Sequence, residues 1–172
     1  IFSMPSVLEI ELSELLKNII PYAEMVKFGK NGSDALTASI RLARACTKRE
    51  LIAVSGYHGW HDWYIGTTTR DMGVPKNVKS LTRKFIFNNL SSLEKCLANK
   101  EEKFAAIVLE PDGFEPPKKG FLKEIRKICN KHGILLIFDE IICGFRTSNG
   151  SASSVYEVMP DLGCFGKAMA NG

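Results

Sequence analysis

Short apolar runs alternate with amphipathic segments along most of this chain. Three of the runs are LIAVSG at residues 51–56, FAAIVLEP at 104–111 and ILLIFDE at 134–140. KKGFLKEIRKICNKH, residues 118–132, lies between the last two; its apolar positions repeat at helical spacing, and basic residues occupy the other side. Runs of this length between helices predict an α/β fold, in which a mostly parallel sheet carries helices on both faces.

The N-terminal part of the chain has the signals of a single helix. Ser6 and Glu9 have the spacing of a capping box, and leucines then recur at helical spacing until Pro21 stops the pattern. We therefore predict a helix over residues 6–20 and place the core of the domain at residues 26–172.

Further local patterns predict three short elements. Ser91 and Glu94 again have capping-box spacing, which predicts a short helix capped by Ser91. KFIFN at residues 84–88 predicts a strand, and the segment after Pro160 predicts another that leads to Lys167.

Composition and charge exclude several classes of protein. The chain has 172 residues, of which 45% are hydrophobic and 24% charged, as in an ordinary globular domain. The net charge is +4, but the densest basic cluster lies on the polar side of a predicted helix, so nucleic-acid binding is not expected. No apolar run is long enough for a membrane helix. Five scattered cysteines without a Cys-x-x-Cys indicate neither disulfides nor zinc and favour a reducing compartment such as the cytoplasm.

Carboxylates follow two of the apolar runs, at the sheet edge where ligands bind in parallel sheets. Asp139 follows ILLIF, and Glu110 ends FAAIVLE. A buried, ionised Asp139 requires a cation or several donors: a protonated heterocyclic nitrogen, a metal ion or Arg146 would serve. An ordinary acidic residue at a strand end is an equally consistent interpretation. Glu140 should face the opposite side of the strand, and we interpret it as structural.

The segment Gly29-Lys30-Asn31-Gly32-Ser33-Asp34 precedes a helical pattern. Such a turn can be a phosphate cradle, because glycine lets the backbone approach an anion and the first N–H groups of a helix point at it. A plain turn followed by a helix cap explains the same residues.

Lys167 and an aromatic-rich loop complete the candidate residues. Lys167 lies in GCFGKAMANG, among small and apolar neighbours that favour a neutral, nucleophilic amine, although most lysines are simply on the surface. The loop YHGWHDW, residues 57–63, could stack on a flat ring or cover the core. His58 and His61 are three residues apart without a third ligand at metal spacing, so no metal site is indicated.

A phosphate cradle, an aromatic ring, a strand-end aspartate and such a lysine together match the requirements of pyridoxal 5'-phosphate (PLP). The sequence also resembles the class III PLP-dependent aminotransferases, in particular the branch that includes glutamate-1-semialdehyde 2,1-aminomutase. The matching stretches are PSVLEIELSELL, FGKNGSDALTASIRLARA, GYHGW, LEP, GFLKEIRKICNKHGILLIFDEIICGFR and PDLGCFGKAMANG. The most specific of them are DEIICGFR and PDLGCFGK.

The resemblance implies an activity and a fold. Lys167 would form the Schiff base with PLP, and Asp139 would be the partner of the pyridinium nitrogen; these two are the expected catalytic residues. The chain would move an amino group between an amine donor and a keto or aldehyde compound. The fold would be the large domain of the aspartate aminotransferase-like PLP-dependent transferases, fold type I, and the longer form of the protein would be a homodimer.

The resemblance also assigns residues around the cofactor. Gly32 and Ser33 would hold the phosphate, Tyr57 would stack on the ring, and His58 would lie close by. Glu110 would lie near the cofactor in a role that the resemblance does not define.

Two departures from the family pattern leave alternatives open. After LEP the sequence continues with Asp112-Gly113-Phe114-Glu115-Pro116-Pro117, where the aminomutase branch carries an asparagine that contacts the cofactor hydroxyl. An aminotransferase is therefore expected, with the aminomutase as the alternative. Family members also continue beyond the lysine into a small C-terminal domain. Residues 1–172 are thus expected to be an incomplete PLP-binding large domain without that small domain, or a truncated, non-catalytic remnant of the fold.

Overall fold

A computed structural model of the protein describes residues 4, 6–99 and 101–170. A five-stranded sheet runs through it in the order β2-β1-β3-β4-β5, and every neighbouring pair of strands is parallel. The strands are β1 Leu51–Ser55, β2 Thr82–Lys84, β3 Phe104–Leu109, β4 Leu135–Glu140 and β5 Leu162–Phe165. The predicted α/β class with a parallel sheet is therefore confirmed.

Helices lie on both faces of this sheet. They are α1 Val7–Ile19, α2 Gly32–Thr47, α3 Asp62–Ile65, α4 Lys76–Lys79, α5 Leu90–Cys96, α6 Phe121–His132 and α7 Ser153–Tyr156, and a 3-10 turn follows at Lys167–Ala170. Within the described part of the chain, none of the helices is long and apolar enough to cross a membrane.

The core has two halves, separated by the sheet. Leu36 and Ile40 of α2 pack against alternate side chains of the strands, such as Val108 of β3. The side chains between them, such as Ile107, face the opposite half, where they meet Ile125 of α6 and its buried neighbours. Each such side chain stabilises the fold by roughly 1.5–3 kcal/mol. Since both faces are covered, the ends of the strands are where a site can form.

Helix α1 begins at the predicted capping box. The Ser6 hydroxyl accepts the N–H of Glu9 at 3.2 Å, and the Glu9 carboxylate accepts the N–H of Ser6 at 2.8 Å. Within the described part of the helix, only Leu16 is buried, and several of the other apolar side chains are exposed. This helix therefore adds little to the core.

The predicted capping box of Ser91 and Glu94 is wrong. Helix α5 is capped two residues earlier by Asn89, whose side-chain oxygen accepts the N–H of Ser92 at 2.9 Å. Asparagine is as good a cap as serine, so the earlier residue satisfies the same position of the helix and begins it sooner.

The strand predicted at residues 84–88 is displaced. Strand β2 is already complete at Lys84, and only this residue belongs to both ranges. Phe85 donates one more hydrogen bond to the carbonyl of Val54 at 2.9 Å and buries its ring, after which the chain turns at Asn88 with φ 58°. The apolar character of this run therefore reflects burial after the strand, not pairing within it.

Candidate functional site

Asp139 lies near the carboxyl end of β4, and its side chain is buried, with 3% of the residue exposed. Its Oδ2 atom lies 2.8 Å from Nδ1 of His58, and its Oδ1 atom accepts the N–H of Ile141 at 3.1 Å. Arg146, considered above as a partner, is exposed on the loop beyond. The hydrogen-bond donors to this carboxylate are therefore the His58 side chain and the backbone N–H of Ile141.

The hydrogen bonds of His58 define its protonation. The residue is only 1% exposed, and its Nε2 atom lies 3.0 Å from the carbonyl oxygen of Ser55. A carbonyl only accepts, so Nε2 carries a hydrogen. A second proton must lie between Nδ1 and the carboxylate of Asp139, because two lone pairs 2.8 Å apart would repel each other. The pair is therefore an imidazolium that balances a buried carboxylate, or its proton-transferred equivalent of the same total charge.

Aromatic rings hold the imidazole of His58 in place. The indole of Trp63 lies nearly parallel to it, at 6.3 Å and 16°, and the ring of Tyr64 meets it edge-on at 5.3 Å. His58 is covered on these sides, and its Nδ1 atom faces Asp139 rather than the solvent.

The start of α2 presents backbone and side-chain donors of a kind that suits an anion. Its cap, Asn31, accepts the N–H of Asp34 at 3.0 Å. Within the described part of the chain, no hydrogen bond is made by the N–H groups of Gly32 and Ser33 or by the Ser33 hydroxyl. These donors lie at the positive end of a 16-residue helix, where negative charge is stabilised.

The loop that carries His58 sits directly on this helix start. Gly59 has φ 87°, and a Cβ atom at this position would overlap the Ser33 hydroxyl. Only glycine combines that backbone angle with so close an approach. The aromatic loop and the start of α2 therefore form one continuous surface.

Ile141 joins the strand-end aspartate to the other candidate residues. A Cβ atom on Gly32 would lie 2.5 Å from its Cδ1 atom, and one on Gly166 would lie 3.5 Å from its Cγ2 atom. The side chain thus packs between the start of α2 and the residue before Lys167. Ile141 was not among the residues predicted from the sequence, because no local pattern shows that this residue of the turn after β4 contacts Gly32 and Gly166.

Lys167 follows β5 and begins the 3-10 turn with a backbone φ of 42°, a value that non-glycine residues rarely adopt. Its apolar neighbours predicted a desolvated amine, but the side chain is exposed. Strain of this kind costs on the order of 1–3 kcal/mol and is typical of functional sites.

Glu110 follows β3 and is half-buried. Burial, and next the negative charge of Asp139, raise the pKa of its carboxyl, and the charges of His58 and Lys167 and a backbone hydrogen bond from Tyr57 oppose this only in part. The balance means that Glu110 holds a proton to higher pH than an ordinary glutamate. The charge of Lys167 is one of the causes that lower this pKa, so the two side chains interact electrostatically.

Tyr57 borders an open cleft at the same end of the sheet. The residue is 58% exposed, and its ring meets Tyr64 edge-on at 5.5 Å and 85°. The cleft has a volume of about 770 Å³. Its lining includes Tyr57, Trp60, Asp62, Thr69, Arg70 and Met72. A flat ligand has an exposed aromatic face to stack on here.

Glu140 points to the other side of β4, as predicted. It is fully buried and accepts hydrogen bonds from the Tyr22 hydroxyl at 3.0 Å, from the Ser151 hydroxyl and from the Ala152 N–H at 2.6 Å. Burial, the largest cause, raises the pKa of its carboxyl. Glu140 thus ties the segment after α1 to the loop before α7.

The structure brings the sequence-predicted residues to one end of the sheet. Contacts connect the start of α2 to Ile141, Ile141 to the residue before Lys167, and Asp139 to His58. The predicted residues that meet here are Gly32, Ser33, Tyr57, His58, Glu110, Asp139 and Lys167.

Known proteins are similar to this chain over nearly its whole length. The sequence profile of the family described as Aminotransferase class-III matches residues 3–172. A glutamate-1-semialdehyde 2,1-aminomutase from Desulforamulus reducens is 41% identical over 186 residues, which cover 99% of this chain and 43% of that protein. A 3-aminobutyryl-CoA aminotransferase from Cloacimonas acidaminovorans is 41% identical over 177 residues, which cover 99% of this chain and 42% of the relative. The chain thus spans less than half the length of the curated relatives it matches.

Solved structures share the fold. An omega-transaminase from Sphaerobacter thermophilus has a TM-score of 0.85 at 32% identity and covers 96% of this chain with 42% of its own. The FumI protein of Sphingopyxis sp. MTA144, in its PLP internal aldimine form, has a TM-score of 0.90 at 29% identity, over 99% of this chain and 42% of its own. The predicted PLP-dependent transferase fold is confirmed by these neighbours.

Proposed function

Because this chain belongs to the class III aminotransferases, we propose that it is the cofactor-binding part of an enzyme that moves an amino group from an amine donor to a keto or aldehyde compound with PLP. One observation carries the proposal. The Asp139–His58 pair puts a charge-balanced, buried carboxylate on the strand next to β5, which leads to Lys167. An anion held in this way is suited to a protonated ring nitrogen.

The start of α2 fits the phosphate of PLP. Within the residues that the structure describes, the N–H groups of Gly32 and Ser33 and the Ser33 hydroxyl make no hydrogen bond, and the helix adds its positive end. A phosphate dianion would satisfy all three donors at once. The turn alone was also consistent with a plain helix cap, but the cap is Asn31, which leaves Gly32 and Ser33 available for the anion.

The ring of PLP would lie between Tyr57 and the carboxylate of Asp139. When bound, PLP supplies a protonated aromatic ring that withdraws electrons from the carbon next to the amine. Asp139 would keep the proton on the ring nitrogen, and His58 would keep Asp139 anionic by holding its own proton at Nδ1. Tyr57 has an exposed face for the ring to stack on.

Lys167 would bond to the cofactor through Nζ and, once displaced by the substrate amine, would move a proton at the reacting carbon as a free base. Its exposed side chain has the freedom that this exchange requires. Glu110, whose pKa is raised and whose carboxyl interacts electrostatically with Lys167, would hold a proton near the cofactor.

Reductive trapping tests this function. The purified chain is mixed with PLP, treated with borohydride and digested, and mass spectrometry should find the phosphopyridoxyl mass on the peptide that contains Lys167. Lys167→Arg keeps the charge and should abolish the label, while Lys119→Arg, an exposed lysine before α6, should not. Labelling spread equally over surface lysines would refute the site and favour a non-catalytic remnant of the fold.

Intramolecular transfer is the second candidate. The relative named as an aminomutase is as similar to this chain as the relative named as an aminotransferase, each at 41% identity. A 15N-labelled amine donor distinguishes the two in a longer protein that contains this chain. An aminotransferase delivers the label to a second molecule, whereas an aminomutase moves an amine within one substrate.

We further propose that such a longer protein is a homodimer that acts on small molecules in the cytoplasm. The family resemblance supports the homodimer, and the five scattered cysteines without a Cys-x-x-Cys support a reducing compartment such as the cytoplasm. Sedimentation of that protein as an active monomer would contradict the first, and fractionation of cells that places it outside the cytoplasm would contradict the second.

A further inference from the structure

One threonine of α2 attaches the aromatic loop, residues 57–63, to that helix. The Thr37 hydroxyl accepts the indole N–H of Trp63 at 3.0 Å and lies 2.7 Å from Nδ1 of His61. Within the residues that the structure describes, these two are the hydrogen bonds between the loop and α2. A single side chain therefore makes the polar attachment of the loop to the helix.

The hydrogen bonds of Thr37 determine which nitrogen of His61 carries the ring hydrogen. An indole N–H only donates, so the Thr37 oxygen accepts from Trp63. The hydroxyl hydrogen of Thr37 has no other acceptor in the described part of the chain, whereas that of Thr47 bonds to the carbonyl of Ala43 at 2.8 Å. Thr37 therefore donates to Nδ1 of His61, and the ring hydrogen of the neutral imidazole lies on Nε2.

The Nε2–H of His61 lies beside the first turn of α2. Nε2 is 3.9 Å from Oδ1 of Asp34, which is too far for a hydrogen bond but brings a donor close to a carboxylate. On the loop side, the ring of Trp60 meets the imidazole edge-on at 5.2 Å and 75°. His61 thus contacts both the helix and its own loop.

The ends of the loop are fixed without α2. The Tyr64 hydroxyl donates to the carbonyl of Gly56 at 2.8 Å, and the buried Thr82 hydroxyl of β2 donates to the carbonyl of Trp63 at 2.7 Å. The loop therefore keeps its own fold if the bonds to Thr37 are lost. Its placement on α2 is what those bonds determine.

This placement matters for the expected cofactor site. Thr37 follows Ser33 by one helical turn, on the same face of α2. Gly59 packs directly on Ser33, and Tyr57 is only two residues before Gly59. The anion donors and the exposed aromatic ring thus come from two separate elements, and a ligand that reaches both depends on their alignment.

We infer that His61 is a positioning residue, which together with Thr37 aligns the ring of Tyr57 with the anion site at the start of α2. This rests on the proposed function, because PLP is the ligand that would reach both. His61 acts through Thr37 and not by touching the ligand. Loss of the alignment weakens a ligand that spans both elements, while an anion bound by α2 alone keeps its affinity.

Two probes separate these effects. Pyridoxine 5'-phosphate spans both elements and has no aldehyde, so its binding does not depend on Lys167. Inorganic phosphate can occupy the start of α2 without reaching Tyr57. Titration calorimetry compares Thr37→Val with Thr37→Ser, and His61→Phe with His61→Asn, whose side-chain oxygen can accept the Thr37 hydrogen in place of Nδ1.

Thr37→Val and His61→Phe should each weaken pyridoxine 5'-phosphate about tenfold, and the double variant should bind it no more weakly than Thr37→Val alone, since both changes remove the same hydrogen bond. Thr37→Ser and His61→Asn should restore most of the affinity. Phosphate should bind all variants with nearly the affinity of the parent. Thr47→Val, the matched control, removes a hydroxyl from the other end of α2 and should change neither probe.

Several results would overturn the inference. Equal weakening of both probes would show that Thr37 and His61 only support the helix, and equal effects of Thr37→Val and Thr47→Val would show the same. Unchanged binding of pyridoxine 5'-phosphate in Thr37→Val and His61→Phe would remove the role altogether. A 15N spectrum in which the neutral His61 carries its hydrogen on Nδ1 would contradict the hydrogen bond from Thr37.

The two proposals fail separately. If Lys167 is labelled by PLP and the variants bind pyridoxine 5'-phosphate as the parent does, the alignment by His61 is wrong and the cofactor site stands. If the variants lose affinity as expected and Lys167 is not labelled, the alignment stands and the proposed chemistry is wrong. A parent that lacks saturable binding of either probe contradicts both.

Discussion

The hydroxyl of Tyr22 donates to the buried carboxylate of Glu140 and at the same time fills the space above Gly163. A Cβ atom at Gly163 would overlap that hydroxyl. Glu140 belongs to β4 and Gly163 to β5, the strands that lead to Asp139 and Lys167. One tyrosine from the segment after α1 thus holds both strand ends from the face opposite the candidate site.

Replacing Gly163 by alanine should destabilise the protein by about 1–3 kcal/mol, because Tyr22 must move to make room for the methyl group. Tyr22→Phe should cost about 1–2 kcal/mol, because Glu140 loses one donor. In chemical denaturation, the double variant should lose clearly less than the sum of the two, since without the hydroxyl the methyl group meets less obstruction. Strict additivity would show that Tyr22 and Gly163 are not in contact in solution.

Asp139→Asn should leave the fold intact and change the protonation of His58. The amide can donate to Nδ1 and accept the N–H of Ile141, so the imidazole becomes neutral while its Nε2–H still binds Ser55. The 15N chemical shift of His58 Nδ1 should move from that of a protonated to that of an unprotonated nitrogen. The same shift in both proteins would mean that the parent pair is not ionic.

His58→Phe should be far more disruptive. It removes the cation from a carboxylate that is almost completely buried, and breaking a buried pair on one side costs about 3–5 kcal/mol of unfolding free energy. Combining it with Asp139→Asn removes the charge that was left behind. The double variant should therefore be more stable in thermal unfolding than His58→Phe alone; if it is less stable, charge is not the cause.

The raised pKa of Glu110 predicts that the free energy of unfolding depends on pH. A carboxyl whose pKa is higher in the folded than in the unfolded chain binds more protons when folded. Its contribution to the unfolding free energy therefore falls as the pH rises from the ordinary value of 4.5 through the raised folded value. Glu110→Gln should gain stability relative to the parent across that window and stay level above it, whereas Glu115→Gln, an exposed control, should show no such trend.

The sequence was most informative where one physical signal dominated. The runs before Glu110 and Asp139 are apolar throughout because both faces of the sheet are covered, and they correctly predicted β3 and β4. At residues 84–88 the apolar run predicted a strand, but β2 ends at Lys84. Buried residues outside a strand have the same apolar composition as buried strand residues, so the sequence could not distinguish the two. Asn89 and Ser91 are both residue types that cap helices, and the spacing of Ser91 and Glu94 does not show which of the two caps α5.

The site could be predicted only residue by residue. A strand-end position singled out Asp139, and small, apolar neighbours singled out Lys167, but no local pattern shows that His58 reaches Asp139 across 81 residues. Ile141 and Tyr22 were missed for the same reason, since each acts through contacts with distant glycines. Such contacts depend on how the elements pack, which composition does not encode.

His58 and Asp139 are 81 positions apart, and the segment between them includes the whole of β3, which lies between β1 and β4 in the sheet. The pair can form only when β1, β3 and β4 are aligned together, so a partly assembled sheet leaves a lone histidine and a lone carboxylate. The protonation of the His58 imidazole therefore shows whether β1, β3 and β4 have assembled. The buried ion pair of Asp139 and His58 is thereby confined to chains in which these three strands have assembled.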